Sequence, residues 1–130
     1  MSVKTVDELN FSFEQPNVPL SLNKSNSMHW ASRKRHLDPW RSMIRMAYAR
    51  ATMREEMLIG PVDIHFTFSF GRNGRRDPHN YIATVKPLID ELVDMDLVPD
   101  DTAEWVSVAE PKLVISNDNL CHVSIRLRDE

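Results

Sequence analysis

Residues 62–70, "VDIHFTFSF", alternate apolar and polar side chains without a break. Val62, Ile64, Phe66, Phe68 and Phe70 fall on one side, Asp63, His65, Thr67 and Ser69 on the other. A period of two with bulky apolar groups on one face is satisfied by a strand whose one face is covered. His65 is then an outward strand residue rather than a ligand. The cover has to come from the flanking segments, and their patterns are helical.

Upstream, Asp38-Pro39 offers an N-cap followed by proline in the first helical position. From there Trp40, Met43, Ile44, Ala47 and Ala51 share one helical stripe, which Gly60-Pro61 terminates. The preceding polar stretch, residues 17–37, has no clear period and reads as a loop. Downstream, Asp77-Pro78 repeats the helix-start signal, and Ile82, Val85, Ile89, Leu92 and Val93 form the second stripe. Pro87 inside it removes one backbone hydrogen bond and predicts a kink near Val85–Lys86. "ELNFSFEQP" reads as a first strand, and "AEWVSVAEPKLVISN" and "LCHVSIRLRD" as two closing strands around the turn "NDN". The order β–α–β–α–β–β predicts a single α/β (α+β) domain over residues 1–130, with two main helices on a mixed or antiparallel sheet.

A chain of 130 residues can build such a core without staples. Cys121 is the only cysteine, so an intrachain disulfide and a cysteine-rich zinc site are both excluded. Its alternating surroundings make it a small strand residue. No apolar run reaches the length of a membrane span, and the opening "MSVKTVDELNF" lacks the apolar stretch of a signal peptide, which predicts a cytoplasmic location.

Net charge is −3, but the charges are sorted along the chain. Arg33, Lys34, Arg35, Arg41, Arg45, Arg50 and Arg54 face a single acid, Asp38, within residues 33–54. Arg72, Arg75 and Arg76 add a second cluster. Residues 77–104 then hold eight acids against Lys86. Cations for a phosphate backbone beside carboxylates for metal ions are what a metal-using phosphodiesterase requires. Helices with solvated faces give the same asymmetry.

On a helical wheel His79, Lys86 and Asp90 lie within roughly 40° of one another. Asp77 stands at the N-cap of that helix, and Asp100-Asp101 follow it in a short turn. Three carboxylates supply enough oxygen for one Mg²⁺ ion, and a lysine can stabilise a leaving oxygen. Plain structural roles exist for each: a cap for Asp77, turn residues for Asp100 and Asp101, a surface position for His79, and an i,i+4 pair for Lys86 with Asp90.

The stretch from Arg75 to Trp105 resembles the RusA family of Holliday junction resolvases. That family carries an arginine-rich run, Asp-x-Asp-Asn, a helical lysine, an aspartate four residues on, and an Asp-Asp pair ten and eleven beyond. Here these are Arg75-Arg76, Asp77-Pro78-His79-Asn80, Lys86, Asp90 and Asp100-Asp101. The segment "SLNKSNSMHWASRKRHLDPWR" is similar to the family's start, and the Asp-Pro-His-Asn form looks like variants of actinobacterial phages and prophages. Two positions depart from the pattern: His79 replaces the second aspartate, and Lys86 lies three residues further from Asn80. Imidazole suits Mn²⁺ better than Mg²⁺.

The resemblance implies a homodimer that cuts opposing strands of a four-way DNA junction by Mg²⁺-dependent hydrolysis. It implies metal binding by Asp77, His79, Asp100 and Asp101, catalytic help from Lys86, and phosphate contacts from Arg33, Lys34, Arg35, Arg72, Arg75 and Arg76. Competing expectations are a nuclease indifferent to the form of branched DNA, a DNA-binding protein that lost activity with the change to His79, and a metal-free interaction domain.

Overall fold

The computed structural model describes residues 4–53 and 56–129, so Arg54 lies outside the described residues. The fold is α+β. Strands β1 (Lys4–Thr5) and β2 (Glu8–Glu14) precede helices α1 (Leu22–Ser27) and α2 (Trp30–Ala51). Strands β3 (Glu56–Met57) and β4 (Val62–Phe70) follow, then a 3₁₀ turn (Pro78–Tyr81) leading into helix α3 (Ile82–Asp94). Strands β5 (Val106–Val108), β6 (Lys112–Ile115) and β7 (Leu120–Leu127) complete the chain.

The main sheet runs β2-β7-β4-β5, with β6 also on β4. Antiparallel pairing joins β7 to both β2 and β4, whereas β5 and β6 pair parallel with the beginning and the end of β4. The predicted single strand over 103–117 is thus two short strands broken around Pro111, which has no N–H to give a ladder. The two closing strands do not pair with each other, because β4 lies between them. The chain crosses the end of β4 there, with Ser116 N–H donating to the Phe70 carbonyl. The pair β1–β3 forms a separate two-stranded parallel sheet that the sequence pattern did not predict.

Val62, Ile64, Phe66, Phe68 and Phe70 are all buried, and His65 on the opposite face is exposed. Trp40 of α2 lies edge-on to Phe68 at 5.7 Å and to Phe13 at 5.8 Å, joining helix and sheet. Cys121 is buried in β7, and burial pushes its thiol pKa up, as for an inert strand residue.

Helix α2 starts nine residues before the predicted site. Its N-cap is His29, and Pro39 sits inside it. Leu37 is buried with Trp40, Ile44 and Tyr48, so the apolar stripe reaches back past the proline and holds the earlier turns helical. Asp38 therefore caps nothing; it pairs with Lys34 (2.6 Å) and Arg41 (2.8 Å). Asn17 spans the proline break, its Nδ2 donating to the His36 carbonyl and its Oδ1 accepting from Trp40 Nε1.

Residues 17–28, read from the sequence as loop, are tied down as well. The Thr84 hydroxyl of α3 accepts from Leu20 N–H (2.7 Å) and donates to the Leu20 carbonyl (3.0 Å), both within the interior. Asn80 Oδ1 accepts from Asn23 N–H of α1. Within α3, Val85, Leu88, Ile89 and Leu92 are buried, while Ile82, assigned to the stripe from the sequence, is 40 % exposed.

Replacing Thr84 by valine keeps the shape and leaves both Leu20 groups unpartnered. A stability loss of about 2 kcal/mol in urea unfolding is the expected outcome. A change within about 0.5 kcal/mol, the size of a neutral surface substitution, would show that this bond pair does not hold the segment.

Candidate active site

The strand end at Phe70 organises the basic loop. The Arg76 guanidinium lies 4.1 Å from the centre of the Phe70 ring, and Tyr81 meets the same ring edge-on at 5.2 Å. Arg76 Nη1 also donates to the Arg72 carbonyl (2.9 Å). A Cβ at Gly74 would stand 3.2 Å from this guanidinium, so glycine allows the loop to fold over it. Arg76 is thus committed to the loop, whereas Arg72 and Arg75 are exposed.

Asp77 is an N-cap as predicted: its Oδ1 accepts from His79 N–H (3.1 Å) at the start of the 3₁₀ turn. That bond leaves the other carboxylate oxygen for a ligand. His79 is exposed, at the rim of a cavity of about 200 Å³ between Ile82, Val85, Val108 and Pro111. Lys86 and Asp90 are exposed on α3, and Asp100 and Asp101 are exposed in the connection to β5. Asp100 Oδ1 accepts from Asp101 N–H (2.8 Å).

The predicted residues thus separate along one helix. Asp77 and His79 precede Ile82, while Asp100 and Asp101 follow the helix end. Asp90, which the sequence pattern placed in the motif and beside Lys86 but not among the metal ligands, feels the charge of Asp101. Partial burial and then the charge of Asp101 raise its carboxyl pKa, with a further rise from Glu91; Lys86 and Arg41 oppose this. The signal was its place four residues after Lys86, on the same face. At 1.5 Å per residue, Lys86 and Asp90 are about 6 Å apart along the axis, and Asp90 is about 12 Å beyond Ile82.

The predicted DNA-binding run belongs to the first turns of α2. Lys34 is engaged by Asp38, and Arg35 Nη2 donates to Ser32 Oγ (3.1 Å). Arg45 bridges to Glu91 (2.6 Å) and Asp94 (2.8 Å), so part of the basic segment neutralises α3 rather than facing outward.

Among the described residues no three His, Cys, Asp or Glu side chains form a group able to hold a metal ion. Mg²⁺ needs fewer protein ligands than such a group supplies: one or two carboxylates, with water and phosphate in the remaining positions. Asp90 and Asp101 are two carboxylates in mutual repulsion, which a divalent cation relieves.

Among the described residues no helix is long and apolar enough to cross a membrane. No protein-family model matches the chain, and no curated protein matches it.

Because the folded state raises the Asp90 pKa, its stabilising contribution is present below the unfolded value and is lost as pH rises through the folded one. Asp101→Asn removes part of the cause. A carboxyl-carbon NMR titration is expected to show the Asp90 midpoint moving down toward the ordinary aspartate range in that variant. An unmoved midpoint would separate the two residues.

Proposed function

We propose that the chain is a metal-dependent endodeoxyribonuclease that cuts four-way junctions or related branched DNA. The feature that carries this reading is Asp90, four residues after Lys86 on one face of α3, whose carboxyl feels the charges of both Asp101 and Lys86. It is supported by the carboxylate Asp77 and the imidazole His79 at the start of the same helix, and by the exposed Arg72 and Arg75 one loop away.

In this reading Asp100 and Asp101 are metal-binding residues from the loop, with Asp90 opposite. Asp77 and His79 are a second ligand pair. Mg²⁺, or Mn²⁺ favoured by the imidazole, supplies an activated water and neutralises charge on the phosphoryl oxygens. The remaining work falls to side chains. Phosphodiester hydrolysis joins the oxygen of water to phosphorus, breaks the bond to the leaving oxygen, and requires a proton on that oxygen. The Lys86 ammonium neutralises charge there as it develops. Asp90 would hold the cation together with Asp101, and the proton lost by the attacking water and the one gained by the leaving oxygen are exchanged with solvent. Arg72, Arg75, Arg33 and Arg35 hold phosphates, and Arg76 shapes the loop that presents them.

Symmetric cuts in two strands need two such centres, so a homodimer belongs to the same proposal, as does a cytoplasmic location beside DNA. A second reading, DNA binding without cleavage, is favoured by one observation. The described residues of a single chain bring no three metal ligands together.

A labelled synthetic four-way junction, offered with Mg²⁺ or Mn²⁺, decides between them. Symmetric metal-dependent nicks are expected, with linear duplex spared and the rate reduced about a hundredfold or more in Asp101→Asn, as for loss of several kcal/mol of charge stabilisation. Equal cutting of junction, Y-shaped and linear DNA would remove junction preference. Tight salt-sensitive binding without cleavage would establish the second reading.

A further inference from the structure

Trp30 is 65 % exposed at the first position of α2. A large aromatic face left in water is unusual for a residue that is highly buried on average. Its surroundings are cationic rather than apolar. Arg33 and Lys34 follow at three and four residues and share its side of the helix. Arg35 lies beside them, and Lys24 is exposed on the preceding short helix. Asp38 is the acid of this region and is taken up by Lys34 and Arg41, whereas Lys24, Arg33 and Arg35 form no ion pair among the described residues.

The backbone that carries the ring is held in place. His29 caps the helix, its Nδ1 accepting from Ala31 N–H, and its ring lies 5.5 Å from the Trp30 ring. The segment leading to it is pinned to the start of α3 by the Leu20–Thr84 and Asn23–Asn80 bonds. His36 Nε2 meets the Val18 carbonyl at 2.7 Å behind it. An exposed aromatic face is therefore presented on the helix turn that also carries Arg33 and Arg35, on a segment fastened next to Asp77 and His79.

A membrane or an apolar protein surface would be met by apolar neighbours of Trp30. Cations around one aromatic ring match a polyanion with an accessible ring of its own. Nucleobases within a duplex offer no free face; bases at a branch point and in single strands do. We infer that Trp30 is a stacking platform for an unpaired nucleobase of branched DNA, with Lys24, Arg33 and Arg35 on the adjoining phosphates. The inference rests on the reading of the chain as a protein of branched DNA, and it adds a base-binding position outside the metal-binding face.

The test measures affinity for a four-way junction and for oligo(dT), across a salt series, with wild type, Trp30→Ala, Trp30→Phe and Arg33→Ala. Circular dichroism verifies that each variant is folded. The platform predicts that Trp30→Ala weakens binding to both probes about tenfold, the scale of one lost base stack. The dependence of log affinity on log salt should be unchanged by Trp30→Ala, and Trp30→Phe should recover most of the loss. Arg33→Ala should instead lower the salt slope by about one.

Equal affinity of wild type and Trp30→Ala would overturn the platform while leaving DNA binding in place. Loss in Trp30→Ala from a protein that binds but never cuts would uphold the platform and remove the nuclease reading. Wild type that binds neither probe would end both.

Discussion

Strand β4 is the member on which the rest of the structure depends. One face carries a continuous row of buried Val, Ile and Phe, and that row has to be covered. The cover is α2 and α3, brought down through Trp40 on one side and through Val85, Leu88 and Leu92 on the other. Even the stretch of β4 beyond its β7 partner is completed. The buried Gln15 side chain donates to the Ser69 carbonyl and accepts from Ser69 N–H, both at 2.9 Å, in place of a neighbouring strand. Chain direction then decides where chemistry can sit. The loop leaving the end of β4 delivers Asp77, and the connection to β5, which pairs with the beginning of β4, delivers Asp100 and Asp101.

Electrostatics is divided between holding the helices together and facing outward. Arg45 bridges two acids of α3, and Arg41 approaches Glu91 at 3.9 Å as well as pairing with Asp38. A basic stretch followed by an acidic one therefore describes, in part, two helices lying side by side. Exposed pairs of this kind contribute little to stability individually. They matter more for what they remove from the surface: Lys24, Arg33, Arg35, Arg72 and Arg75 are among the cations left without a carboxylate partner among the described residues.

Periodicity made the buried face of β4, the edge strand β2, the outward His65 and most of the α3 stripe legible in the sequence. Those patterns were strong enough that no tertiary contact had to be known. Errors arose where a local signal met a longer-range one. Asp38-Pro39 looks like a helix start, but burial of Leu37 and the Asn17 bridge keep the preceding turns helical, at the cost of one backbone bond. The serine- and asparagine-rich stretch has no apolar period because it is held by polar bonds to Thr84 and Asn80, partners roughly sixty residues away that no window can contain. Ile82 fell on the wheel's apolar side, but as the first residue of the helix it stays 40 % exposed at the helix end.

The same geometry bears on the acids. Spacing identified Asp77, His79, Asp100 and Asp101 but could not say how far apart a helix of 13 residues would hold them. A helix that length is about 20 Å long, whereas the ions of a two-metal clamp stand about 4 Å apart. Under the nuclease reading, Asp77 with His79 and Asp101 with Asp90 match two positions along a bound strand better than one compact ion cluster. Lys86 lies between them on the same face. Under the nuclease reading, the hydrolytic centre falls to the Asp90–Asp101 end, where a charge partner already perturbs a carboxylate. The Asp77 end, next to Arg72, Arg75 and the tethered segment that carries Trp30, then aligns the DNA for it.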